Sequence, residues 1–91
     1  MEKIILNDKE YELIKDYKNG YDKEEVANKF TDYFDNFDYV CGDWAYGKLR
    51  LKGFYDHKNK QVKEYNDYDK LNDYLKNNCA NDARYFVIKR V

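Results

Sequence analysis

The sequence predicts an α+β fold: a single compact domain of five short strands in a mostly antiparallel sheet with two helices, in the order ββαββαβ. Three observations carry that expectation. Runs rich in Tyr, Val, Ile and Leu recur at 3–6, 10–17, 37–41, 46–55 and 84–90, short enough and bounded by enough turn residues to read as strands. Two other segments, at 22–36 and from 67 or 69 to 79, repeat apolar residues at helical spacing. No Pro-, Gly- or Ser-rich linker divides the 91 residues, which amount to one domain of chain.

The first two strands flank Asn7-Asp8-Lys9, a turn-forming cluster, and form an opening hairpin. In the second of them Tyr11, Leu13, Lys15 and Tyr17 alternate with Glu12, Ile14 and Asp16, so neither face is purely apolar. Asn19-Gly20 breaks the pattern. Asp22-Lys23-Glu24-Glu25 then opens the first helix as a capping box, with the Asp22 carboxylate available to the first-turn amides. Val26, Phe30, Tyr33 or Phe34, and Phe37 follow as one aromatic stripe, and the helix is expected to stop near Asn36.

Residues 37–41 and 46–55 are the next strands, joined by a loop at Gly42-Asp43-Trp44-Ala45. Along 46–55, Lys48, Arg50 and Lys52 share a face with Tyr46 and Phe54, and Leu49 and Leu51 lie on the other with Gly47 and Gly53. A polar loop covers 56–60. The second helix lays Tyr68, Leu71, Leu75 and Cys79 on one stripe with Tyr74 beside it. After a connection at 80–83, residues 84–90 form a well-buried strand, with Phe86 and Ile88 on one face and Tyr85 and Val87 on the other.

Composition narrows the function classes. A net charge of −1 argues against a strongly basic nucleic-acid arm and a strongly acidic tail. The N-terminal apolar run is too short for a signal peptide and no segment reads as membrane-spanning, so a soluble, cytoplasmic protein is expected, a monomer or weak dimer with no membrane partner. Cys41 and Cys79 lack CxxC spacing and read as two reduced thiols. Glycine-rich phosphate loops, HExxH, GxSxG and Cys/His clusters are missing, so no catalytic residue, metal site or cofactor is expected and the chain reads as a non-enzyme. The one histidine, His57, reads as an exposed loop residue without a positioned partner.

The candidate site is Asp43, Trp44, Tyr46, Lys48, Arg50 and Lys52. Seven acids against two bases between residues 22 and 43 give way to six bases against one acid between 48 and 63, a charge dipole along the chain. Three alternating cations beside Trp44 and Tyr46 suit single-stranded nucleic acid, such as RNA, or a nucleotide-like anion: cations track phosphates, rings stack on bases, and Asp43 accepts a hydrogen bond. The architectural alternative has Trp44 plugging the core, Asp43 tying down a turn and the cations paired with neighbouring acids, each pair contributing at most about 1 kcal/mol. The other functional alternative is a protein-interaction adaptor using the acidic helix face and exposed tyrosines.

The segment Tyr39-Val40-Cys41-Gly42-Asp43-Trp44-Ala45-Tyr46-Gly47-Lys48-Leu49-Arg50-Leu51-Lys52-Gly53-Phe54-Tyr55 resembles the YutD-like family of small bacterial proteins. Tyr11-Glu12-Leu13-Ile14-Lys15-Asp16, Tyr74-Leu75 with Cys79, and Tyr85-Phe86-Val87-Ile88-Lys89 extend the likeness over nearly the whole chain. The resemblance implies a compact α+β domain in the cytoplasm of Gram-positive-type bacteria. It brings no catalytic residue, cofactor or substrate with it.

Overall fold

The structure, a computed structural model, describes residues 2–91. Its elements are β1 (Glu2–Leu6), β2 (Lys9–Tyr17), α1 (Lys23–Lys29), β3 (Tyr39–Ala45), β4 (Lys48–Phe54), α2 (Leu71–Asn78) and β5 (Tyr85–Arg90), with short 3₁₀ turns between them. The five strands form one sheet in the order β1-β2-β5-β3-β4, and every strand pair in it is antiparallel. β5, last along the chain, lies at the centre.

Both faces of the sheet are covered, so both phases of β3 and of the first part of β5 are buried. On one face Tyr11, Val40, Leu49, Phe86 and Ile88 pack against Val26 of α1 and the rings of Phe30, Phe34 and Phe37. On the other, Tyr39, Cys41, Phe54 and Val87 pack against Leu71 of α2, with Tyr68, Tyr74 and Leu75 beside it. Tyr68, Leu71, Leu75 and Tyr74 are residues the second helical stripe predicts, whereas Cys79, also on that stripe, is half-buried outside this cluster. The mixed alternation of β2 has a local cause: the register against β5 shifts between Leu13 and Lys15. This bulge leaves Tyr11 and Leu13 on the α1 face and turns Lys15 and Tyr17 to the α2 face, where Tyr17 meets the ring of Tyr85 at 5.4 Å.

Three expected boundaries are corrected. The first helix ends at Lys29 rather than near Asn36: Asp22 caps it through the amides of Glu24 and Glu25, but Phe30 and Thr31 are extended and a 3₁₀ turn follows over Asp32–Phe34. The break lets the aromatic stripe gather into a cluster that reaches the end of β4, with Phe30 5.2 Å from Phe34 and Phe37 4.7 Å from Tyr55. The second helix begins with a 3₁₀ turn, Tyr68–Lys70, capped by the Asp67 carboxylate. The third correction concerns Gly42-Asp43-Trp44-Ala45, which is strand and not loop. Chain reversal occurs at Tyr46-Gly47, whose φ angles of 54° and 73° are the left-handed pair that a two-residue hairpin turn requires. Among the described residues no helix is long and apolar enough to cross a membrane.

Candidate functional site

The register of β3 on β4 decides which of the predicted site residues meet. Asp43 faces Arg50 and Trp44 faces Leu49, so the acid joins the basic row on the α2 face while the indole lies on the α1 face. Arg50 donates from Nη2 (2.7 Å) and Nε (3.2 Å) to Oδ2 of the buried Asp43, and from Nη2 to the carbonyl of Asn78 at the end of α2 (3.0 Å). Its guanidinium is thus a brace joining β3, β4 and α2. Trp44 is half-buried: its Nε1–H donates to the Gly20 carbonyl (2.7 Å) and the Arg84 guanidinium lies 4.6 Å over its ring. Arg84 in turn donates to the carbonyls of Lys18 and Asn19, so indole and guanidinium together hold the loop before α1. Tyr46 stands fully exposed at the hairpin tip, and Lys48 is exposed beside it. The predicted platform of Trp44 and Tyr46 alongside three cations is therefore not assembled on one face. Alternation within 46–55 was sufficient to align the cations, but the position of the turn set the phase of Trp44.

Lys52 differs from its neighbours in the row. Its ammonium lies 5.2, 5.6 and 5.7 Å from the rings of Phe54, Tyr74 and Tyr65, and burial lowers its pKa. Among the described residues no carboxylate forms an ion pair with it. Sequence reasoning put Lys52 and Phe54 on one face but not Tyr65 and Tyr74, because these two arrive from a different part of the chain.

β4 is an edge strand, and its backbone indicates what is open. The Phe54 carbonyl accepts from Asp38 N–H (3.0 Å) on the β3 side, whereas Tyr55 turns outward, donating to Asn66 O (2.7 Å) and accepting from Tyr68 N–H (2.9 Å). Leu49, Leu51 and Gly53 share that outward phase, and no strand pairs with them among the described residues. Two grooves of about 350 and 320 Å³ flank this edge and meet at Lys52 and Tyr65, one running along Leu51, Gly53 and Tyr55, the other along Phe54 and Tyr74. Tyr33 and Tyr65, at 67% and 73% exposure, rim the first groove.

Contrary to the sequence expectation, His57 has a positioned partner. Its Nδ1 lies 2.7 Å from Oδ2 of the buried Asp67 and 3.6 Å from Oδ2 of Asp69. The hydrogen bond to Asp67, then the charges of Asp67 and Asp69, raise the His57 pKa; the same bond lowers that of Asp67. Ligand atoms of the three lie within 4.8 Å of one another, close enough to share one cation. A His ten residues before an Asp-x-Asp is too common a spacing to have revealed the group from sequence. Cys41 and Asp43 lie on β3 near the brace, whereas His57 follows the far end of β4. Burial pushes the Cys41 thiol far up, which removes its nucleophilic thiolate at neutral pH.

Comparison with known proteins places this geometry in a family. Residues 5–89 match the YutD-like family, described as "Putative antitoxin YutD-like". The chain is 35% identical over 88 residues to "Putative antitoxin YutD" of Bacillus subtilis (strain 168), covering 97% of each chain. It is also similar to the solution NMR structure of protein yutD from B. subtilis, with a TM-score of 0.82 and 34% identity, covering all of this chain and 83% of that one. With the family matched over almost its whole length and the fold shared, this chain belongs to the YutD-like family.

Proposed function

We propose that this chain is a non-enzymatic, cytoplasmic protein-binding module that docks its partner on the free edge of β4. The observation that carries this reading is the outward-facing backbone of Leu49, Leu51 and Gly53, open between two tyrosine-rimmed grooves in a sheet whose two faces are covered and whose other edge is β1. Open edges attract extended chains, and natural proteins usually cover or blunt them. The naming of the B. subtilis relative as a "Putative antitoxin" supports a partner as well, since an antitoxin is defined by the toxin it counteracts. Single-stranded RNA is carried less far: Lys48 and Lys52 remain available to an anion, but the indole that would stack a base lies on the opposite face and is occupied by Gly20 and Arg84.

Affinity capture of the tagged full chain from cells, with Leu51→Pro as the comparison, tests the reading. Proline removes an outward N–H that pairs with no strand in the fold, so circular dichroism should show the domain intact. A stoichiometric protein held by the wild type and released by Leu51→Pro is the expected result. Recovery of the chain without a partner, or equal recovery by the two forms, would remove it.

A further inference from the structure

We infer that the occupant of the β4 edge is a short extended acidic segment of the partner, added as a sixth strand beside Lys48–Phe54 with a carboxylate placed against the Lys52 ammonium. This inference rests on the reading of β4 as the docking edge and specifies what that edge binds.

Lys52 supplies the first argument. Its ammonium is partly withdrawn from water among three rings and has no carboxylate partner among the described residues. Withdrawing a cation from solvent is costly unless an anion or hydrogen-bond acceptor meets it. The rings contribute cation–π attraction but leave all three N–H donors without a negative acceptor. Charge supplies the second argument. Among the described residues Lys52 and Lys63 are the only charged ones lining the first groove, whereas the second is lined by Lys52 and Lys70 with Glu64 and Asp73. The stretch from 48 to 63 carries six bases against one acid, so the first groove is the one that takes the acidic side chains. A basic edge repels another basic strand and selects an acidic one.

Geometry supplies the length. An added strand would pair with the outward groups of Leu49, Leu51 and Gly53, and it must stop there because those of Tyr55 are taken by Asn66 and Tyr68. Successive side chains of a strand point to opposite faces, so alternate residues of the segment would enter the two grooves on either side of Lys52 and Tyr65.

The probe is a capped, fluorescently labelled peptide of roughly ten residues alternating Glu and Val, with a Lys-Val counterpart and a Glu-Val version N-methylated on alternate backbone amides. Titrated into the full chain, the Glu-Val peptide should bind in a salt-dependent manner, about tenfold tighter than the Lys-Val peptide. It should shift the amide resonances of residues 48–53. Lys52→Glu should invert the order of the two peptides, and N-methylation on the paired edge should abolish binding without requiring any change in the protein. Equal binding of both charges, binding indifferent to N-methylation, or failure of the Glu-Val peptide to bind would overturn the inference. If a cellular partner is captured and lost with Leu51→Pro while the acidic peptide fails, the docking edge stands and the acidic strand does not.

Discussion

Gly42 lies directly beneath the Phe86 ring: a Cβ at position 42 would stand 2.2 Å from Cε1 and 2.3 Å from Cζ of that ring. Phe86 is fully buried at the centre of the sheet and meets Tyr21 edge-on at 5.3 Å, so it has little room to retreat. Gly42→Ala should therefore cost about 2 to 3 kcal/mol by overpacking. Gly47→Ala is the control, since position 47 is open but has a φ of 73°, and about 1 kcal/mol is expected there. Urea denaturation of both variants makes the comparison, and equal losses would contradict the close approach of ring and backbone.

The brace between β3 and β4 makes a second prediction. Removing the guanidinium in Arg50→Ala leaves the Asp43 carboxylate buried without its donor, a loss of about 2 kcal/mol after allowing for the exposure of Arg50. Lys48→Ala, on the same face but without an ion pair among the described residues, should change stability by less than about 0.5 kcal/mol. Chemical denaturation that ranked the two variants the other way would show that the pair does not brace the sheet.

The His57–Asp67 contact should make stability depend on pH with a defined sign. The folded pKa of His57 is raised above its ordinary 6.5, chiefly by the hydrogen bond to Asp67, with Asp69 and Asp56 adding to it. Its contribution is thus complete below that ordinary value and lost as pH rises through the higher folded one. Asp67 is lowered from 3.8, so its contribution is present above 3.8 and lost as pH falls through the lower folded value. The stability difference between wild type and His57→Gln should be largest between about pH 4 and 6.5 and shrink by about pH 8.5. Urea midpoints across that range test it, and a difference that grew with pH would reverse the assignment.

The two thiols should resist modification in the native protein. Burial is the leading cause that raises both pKa values, and Asp43 pushes each in the same direction. Iodoacetamide at about pH 7.5 should label half-buried Cys79 slowly and Cys41 only after denaturation. Intact-mass spectra provide the readout. Rapid labelling of Cys41 in the folded chain would mean that the α2 face opens.

The parts of the fold legible in the sequence were those carried by local pattern. Asn7 and Asp8 give the first hairpin its turn, Asp22 starts α1, and the faces of β5 follow from alternation alone. The helical spacing of Leu71 and Leu75 likewise placed α2. What stayed hidden depends on residues distant along the chain. Gly42 has the composition of a turn but serves to admit Phe86, and misplacing that turn put Trp44 on the wrong side of the sheet relative to Lys48 and Arg50. Strand order, which makes β4 an edge, has no periodic signature. The Tyr65 ring beside Lys52 and the Asp67 behind His57 come from the segment after β4, where the sequence shows no strand pattern.

The central place of β5 has a consequence for how the chain comes into being. While residues 1–84 are emerging from a ribosome, two separate hairpins, β1–β2 and β3–β4, can form, but each keeps one flank without its neighbour until the final strand slides between them. Shortening the chain before Tyr85 would remove the strand that pairs with both hairpins and leave two ribbons rather than a slightly smaller domain.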